Sequence, residues 1–227
     1  MKIRIVLARL SVGAVALAVA PQLASAQEQR LVGRLPDAVR VEVDSILNTA
    51  RSRGLPVEPL VDRALEGAAK GAPGEGILRA VRRLTEELTI ARAAFGDSAL
   101  PSELAAGASA LRAGAVREDL VLLREARSGQ PLTVAAGVLA DLVAVGVPTD
   151  TAIAAVLALA GGLDDAQYLA FRANVERDIA LGALPSAALG VRLDGFDGLL
   201  EVSSPASVDG LGSSAGRNPP SPTKRKP

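Results

Sequence analysis

Residues 74–95 read GEGILRAVRRLTEELTIARAAF, and the spacing of the apolar side chains along them decides the fold class. Ile77, Val81, Leu84, Leu88, Ala91 and Phe95 follow one another at steps of 4, 3, 4, 3 and 4. That is the period of one stripe on an α-helix, not the alternation of a strand. The stripe extends for about 30 Å and forms a heptad-like seam. Glu75, Arg79, Arg82, Arg83, Glu86 and Glu87 fall on the other faces. This segment is expected to be the longest helix of the chain.

The punctuation around it points the same way. Gly54-Leu55-Pro56, Gly71-Ala72-Pro73, Gly129-Gln130-Pro131 and Gly146-Val147-Pro148 each follow one apolar helical pattern and precede another. Glycine ends a helix in the left-handed conformation and proline suits the entry to the next, so each triplet reads as a helix-to-helix corner. Within each pair the glycines are 17 residues apart, and the pairs are separated by 75. A degenerate duplication, over about 35–113 and 114–192, fits this better than strict tandem repetition. The second half is the more apolar and is expected to lie in the interior.

Between these marks the other helices can be placed. Pro36 opens the first, striped by Val39, Val43, Ile46 and Ala50; Leu60, Val61, Ala64, Leu65 and Ala68 mark the second. Leu104, Ala108 and Leu111 mark a helix stopped at Gly114, and Val116, Leu120 and Leu123 the next. Residues 132–145 and 149–160 are the most apolar part. Asp164 and Gln167 form a capping box, stapled by Leu163 and Tyr168, that opens a helix to about Leu181. Leu184–Val191 adds a last turn or two, and the stretch up to Gly33 reads as loose. No segment alternates as a strand does. The fold class is therefore all-α: an irregular bundle or short solenoid of about eight short helices, over 27–202.

The ends are different in kind. Lys2, Arg4 and Arg9 precede an apolar stretch from Leu10 to Ala20, and Ala24-Ser25-Ala26 has the small-x-small pattern of a cleavage site. Residues 1–26 thus resemble a bacterial Sec signal peptide, with cleavage expected after Ala26 and export to the periplasm or the medium. Residues 203–227 are mainly Ser, Gly, Ala and Pro without apolar period and read as a disordered tail. It carries Arg217, Lys224, Arg225 and Lys226 against Asp209. The body between Gln27 and Val202 holds 18 basic against 24 acidic residues. Such an acidic surface is unsuited to nucleic acid.

Composition limits the chemistry. The chain has no Cys and no His, so disulfides, thiolate nucleophiles, imidazole bases and the usual zinc, copper and haem ligands are missing. Its few aromatic residues, Phe95, Tyr168, Phe171 and Phe196, leave the core to Leu, Val, Ile and Ala. A Ser–Lys mechanism would have to use Lys70, which reads instead as a cation at a helix C-terminus. Ser221-Pro222-Thr223-Lys224 matches Ser-x-x-Lys inside the tail only. The pairs Glu86–Glu87 and Asp164–Asp165 are adjacent in sequence and do not face one another across a substrate. Asp194-Gly195-Phe196-Asp197-Gly198 with Glu201 offers oxygens for a cation such as calcium but lacks the loop spacing, and reads as a turn. Gly67 and Gly71, spaced as Gly-x-x-x-Gly, report close packing or a helix end.

No catalytic, cofactor-binding or metal-binding residue is therefore assigned. The expected function is that of an exported, non-catalytic helical protein that binds another envelope or secreted protein. A carrier of an apolar ligand in a groove between the helices of 132–162 is the alternative, and a carboxylate-only enzyme the second. After signal cleavage no segment is long and apolar enough to span a membrane, since Asp141, Pro148 and Asp150 interrupt the most apolar stretch.

Overall fold

In a computed structural model of the chain the backbone of residues 29–203 and the side chains of residues 29–195 are described. Residues 1–28, which include the expected signal peptide, and residues 204–227 of the expected tail lie outside the described residues. What is described is helix and connecting turn, with no strand. A helical turn at 29–31 precedes α1 (Asp37–Ser52), α2 (Glu58–Ala69), α3 (Gly74–Phe95), α4 (Pro101–Ala113), α5 (Arg117–Ala126), α6 (Thr133–Ala144), α7 (Thr149–Leu159), α8 (Asp165–Ala180) and α9 (Pro185–Ser203). At 22 residues α3 is the longest of them. All six residues of its stripe are buried.

The corners form as their chemistry dictates. Gly54, Gly71, Gly129 and Gly146 have φ of 69°, 66°, 77° and 95°. The left-handed conformation they adopt is open to glycine at no steric cost. After Gly54, Gly71 and Gly146 the next amide donates five residues back, Leu55 to Ala50, Ala72 to Gly67 and Val147 to Leu142, closing Schellman motifs. Pro73 and Pro148 then stand as N-caps in nearly the same extended conformation, with φ and ψ of −57° and 146° against −56° and 137°. The corner, a 12-residue helix and the next corner thus recur 75 residues apart, as α2 and α6. The flanking helices do not match in length: α3 has 22 residues and α7 has 11.

Each helix packs chiefly on the helices one and two places along the chain. One row runs α1, α3, α5, α7, α9, and the other contains α4, α6 and α8. Within the first row α1 and α3 are parallel: Arg82 of α3 bonds Glu42 of α1 at 2.7 Å, while further along the chain in both Arg92 donates to the Gly54 carbonyl at 2.8 Å. Such one- and two-along packing is how stacked helix pairs propagate, each unit resting on its neighbours alone. The core lies between the rows and is continuous from Leu31 to Leu189. Its closest approaches use glycine. A Cβ on Gly67 would meet Ile77 at 2.9 Å, one on Gly74 would meet Val39 at 2.5 Å, and one on Gly107 would meet Phe95 at 2.7 Å.

Two sequence expectations fail at the ends of the body. Residues 29–32 are not loose, because Leu31 is fully buried and Arg30 pairs with Glu58 and Asp62. Residues 194–201 are not a turn, since the backbone stays helical from Pro185 to Ser203. Gly190, Gly195 and Gly198 lower intrinsic helix propensity there, which hides the helix from a propensity argument. The helix is anchored to α8 near its middle by Arg192, which bonds both Asp178 oxygens at 2.7 and 2.8 Å. That guanidinium holds the Asp178 carboxyl below the ordinary carboxylate range.

Candidate functional site

The charged groups that lie deepest are occupied in holding helices together. Glu103, on α4, is buried; its Oε2 accepts the Leu100 amide at 2.8 Å and its Oε1 the Leu132 amide at 2.9 Å. One carboxylate thereby caps its own helix and the entry to α6. Arg127, 1% exposed, donates to the carbonyls of Pro131 at 3.1 Å and Leu163 at 2.8 Å and to Asp165 at 2.9 Å. Its guanidinium also lies 5.0 Å from the ring centre of Tyr168. Tyr168 is buried and donates its hydroxyl to the Val156 carbonyl at 2.8 Å, and burial pushes its pKa up to about 12. Glu87 turns inward between Arg83, at 3.0 Å, and Arg112, at 2.9 Å.

The residues singled out by sequence are dispersed. Lys70 reaches back to Glu66 at 2.6 Å at the end of α2. That bond is the main cause lowering the Glu66 carboxyl below its ordinary value. Asp164 and Gln167 close the reciprocal capping box at 2.8 Å each way, and Asp165 is the partner of Arg127. Glu87 is taken into the interior while Glu86 stays at the surface. Ser221 and Lys224 lie outside the described residues. Asp194, Asp197 and Glu201 stand on a helical backbone rather than in a turn, and the side chains of the last two lie outside the described residues. Among the described residues no three carboxylates converge as a metal site requires. Sequence reasoning placed Glu87 on an outer face of its helix, whereas it is buried against Arg112, and it missed Glu103 and Arg127. The only available signal for Glu103 was Pro101-Ser102-Glu103, a carboxylate at the third position of a helix that opens on proline.

Surface grooves occur on several faces, among them one of about 710 Å³ between residues 29–34 and the end of α2; two adjoining ones lie on the outer side of the α1, α3, α5 row. A groove of about 620 Å³ between α1 and α3 is lined by Ser45, Ile46, Thr49 and Arg53 on one wall. Arg82, Thr85, Glu86, Thr89 and Ile90 form the other wall. A second groove, about 420 Å³, continues over α3 to Leu111, Ala115, Val116 and Arg117, sharing Glu86 and Ile90 with the first. Several hydroxyls there are already spent: Thr49 donates to Ser45, Thr85 to Val81 and Thr89 to Thr85, at 3.0, 2.9 and 2.7 Å. Side chains turned back on their own helix in this way leave a less polar wall than their names imply. Ile90 is 38% and Val116 53% exposed. By contrast Ala135, Ala136, Leu139 and Leu142 of α6 and Ala152, Ala155, Val156 and Leu159 of α7 are buried. Neither groove is lined by residues 132–162.

No helix among the described residues is long and apolar enough to cross a membrane. No protein-family model, curated protein or solved structure matches this chain.

Proposed function

We propose that this chain is an exported, non-catalytic helical solenoid that presents the outer side of α1, α3 and α5 to another protein of the envelope or the medium. The observation that carries the reading is the contrast between the inside and this face. Glu87, Glu103 and Arg127 are all engaged by helix-to-helix bonds, so the buried charges serve architecture. The outer row keeps Ile90 and Val116 exposed beside two joined grooves. An exposed apolar stretch rimmed by charges is the usual mark of an interaction surface. Row-on-row stacking also gives such a protein an extended face without a deep chamber.

Envelope fractionation with crosslinking tests location and partner together. Recovery of one defined protein with the full chain is the expected result; repeated recovery of none overturns the reading. The carrier alternative places a ligand between the helices of 132–162, and the burial of the alanine- and leucine-rich faces there favours a filled interior instead. Native mass spectrometry of the gently extracted chain decides it, since a ligand-bound mass would favour the carrier.

A further inference from the structure

The α1/α3 groove is specific enough in shape and charge to define its occupant. Residues 82–90 of α3 extend about 12 Å along the helix axis, which matches about two turns of an incoming helix. The trough runs between two parallel helices whose facing positions, Ser45 and Thr49 against Thr85 and Thr89, are short. Low walls between parallel helices are where the ridge of a third helix fits. Ile46 and Ile90 supply the apolar contact, and the three threonine hydroxyls are already donating to their own helices. An apolar side chain laid over them therefore strands no donor.

The charges select among such helices. Arg82 is held by Glu42, and Arg92 by the Gly54 carbonyl and Asp97. Arg53, at the C-terminal end of α1, lines the groove and has no ion-pair partner among the described residues. Glu86 stands lower on the opposite wall. The complement is a carboxylate at the Arg53 end and none over Glu86. The chain's own basic end, Lys224-Arg225-Lys226, has the wrong sign for Arg53.

We propose that the α1/α3 groove seats about two turns of an amphipathic helix from a partner protein, its apolar stripe over Ile46 and Ile90 and a carboxylate against Arg53. This rests on the interaction reading above and names the chemistry of the partner.

The test uses the folded, exported form of the full chain and two capped amphipathic peptides of about five turns. They are identical and otherwise uncharged, except that one carries Glu and the other Lys at the same end of the apolar stripe. Titration by fluorescence anisotropy is expected to show the Glu peptide binding about tenfold tighter than the Lys peptide. Arg53→Glu should invert that order, and Ile90→Asp should abolish binding of both. Thr89→Arg, a second substitution on the groove wall, should do the same if Ile90→Asp disturbs the fold. Absence of binding by either peptide, equal affinities, or binding indifferent to both wall substitutions overturns the proposal. So does self-association of the chain that Ile90→Asp removes, because a second copy then fills the groove. If the peptides fail while envelope crosslinking recovers a partner, this inference falls and the interaction reading stands.

Discussion

Glu103 on α4 accepts the backbone amide of Leu132 at 2.9 Å, tying the entry of α6 to a helix 29 residues earlier. The other oxygen accepts the Leu100 amide at 2.8 Å, so a single buried carboxylate closes two helix N-termini. Both positions also gain from the dipole of the helix they cap. Because α4 and α6 form the most extensive helix pair among the described residues, this joint fixes how the two central helices of the stack meet. Glu103→Ala leaves two amides without their acceptor and is expected to cost about 3 kcal/mol. Glu103→Gln keeps one acceptor but turns an amide donor towards a donor, and should cost about 1–2 kcal/mol. Denaturant midpoints of the two variants check the order.

Arg127 joins the end of α5 to the start of α8 through two carbonyls and Asp165. Arg127→Met keeps most of the apolar stem and removes every donor. The expected loss is about 2–3 kcal/mol, because the Leu163 and Pro131 carbonyls lose their donor while Asp165, 40% exposed, is left to water. Arg127→Lys cannot serve three acceptors from one ammonium in the same planar arrangement and should also lose stability. Thermal unfolding with wild-type stability for both variants would contradict this role.

Two glycine substitutions separate packing from propensity. A Cβ on Gly107 would come within 2.7 Å of Phe95 and 3.0 Å of Ala91, so Gly107→Ala should destabilise by about 1–3 kcal/mol although alanine favours helix. Gly137, inside α6, has nothing within 4 Å of that position. Gly137→Ala should therefore stabilise by about 0.5–1 kcal/mol. Chemical denaturation of the pair reads both signs at once.

Tyr168 is the chain's one tyrosine, and there is no tryptophan, so phenolate absorbance reports this residue alone. Burial is the main cause of its raised pKa of about 12, which the nearby Arg127 opposes. A pKa raised in the folded state favours the neutral phenol. Its contribution is complete below the unfolded value of about 10 and is lost as pH rises through the folded value. The native chain should ionise near pH 12 and the denatured chain near pH 10, with stability declining between them. Native ionisation near pH 10 would place the ring in water.

How legible this was from sequence varied with the kind of interaction. The stripe from Ile77 to Phe95, the Gly-x-Pro corners and the Asp164–Gln167 box all depend on residues near one another in the chain, and all three are found where the spacing put them. Glu87, Glu103 and Arg127 were out of reach because their partners Arg112, Leu132 and Leu163 lie 25, 29 and 36 residues away. The α9 helix was obscured by its own glycines. The grooves on α1, α3 and α5 could not be read either, since a stripe with threonines and arginines on a helix looks the same whether it faces water or a partner.

The most direct measurement is site-specific photocrosslinking in native host cells, with the reactive group placed at Thr89 in the groove wall. The account predicts one defined protein adduct that disappears when Ile90→Asp is added and is absent when the group is moved to Ala170, exposed on α8 in the other row. A folded, exported chain that yields no adduct at Thr89, or the same adduct from both positions, would contradict it.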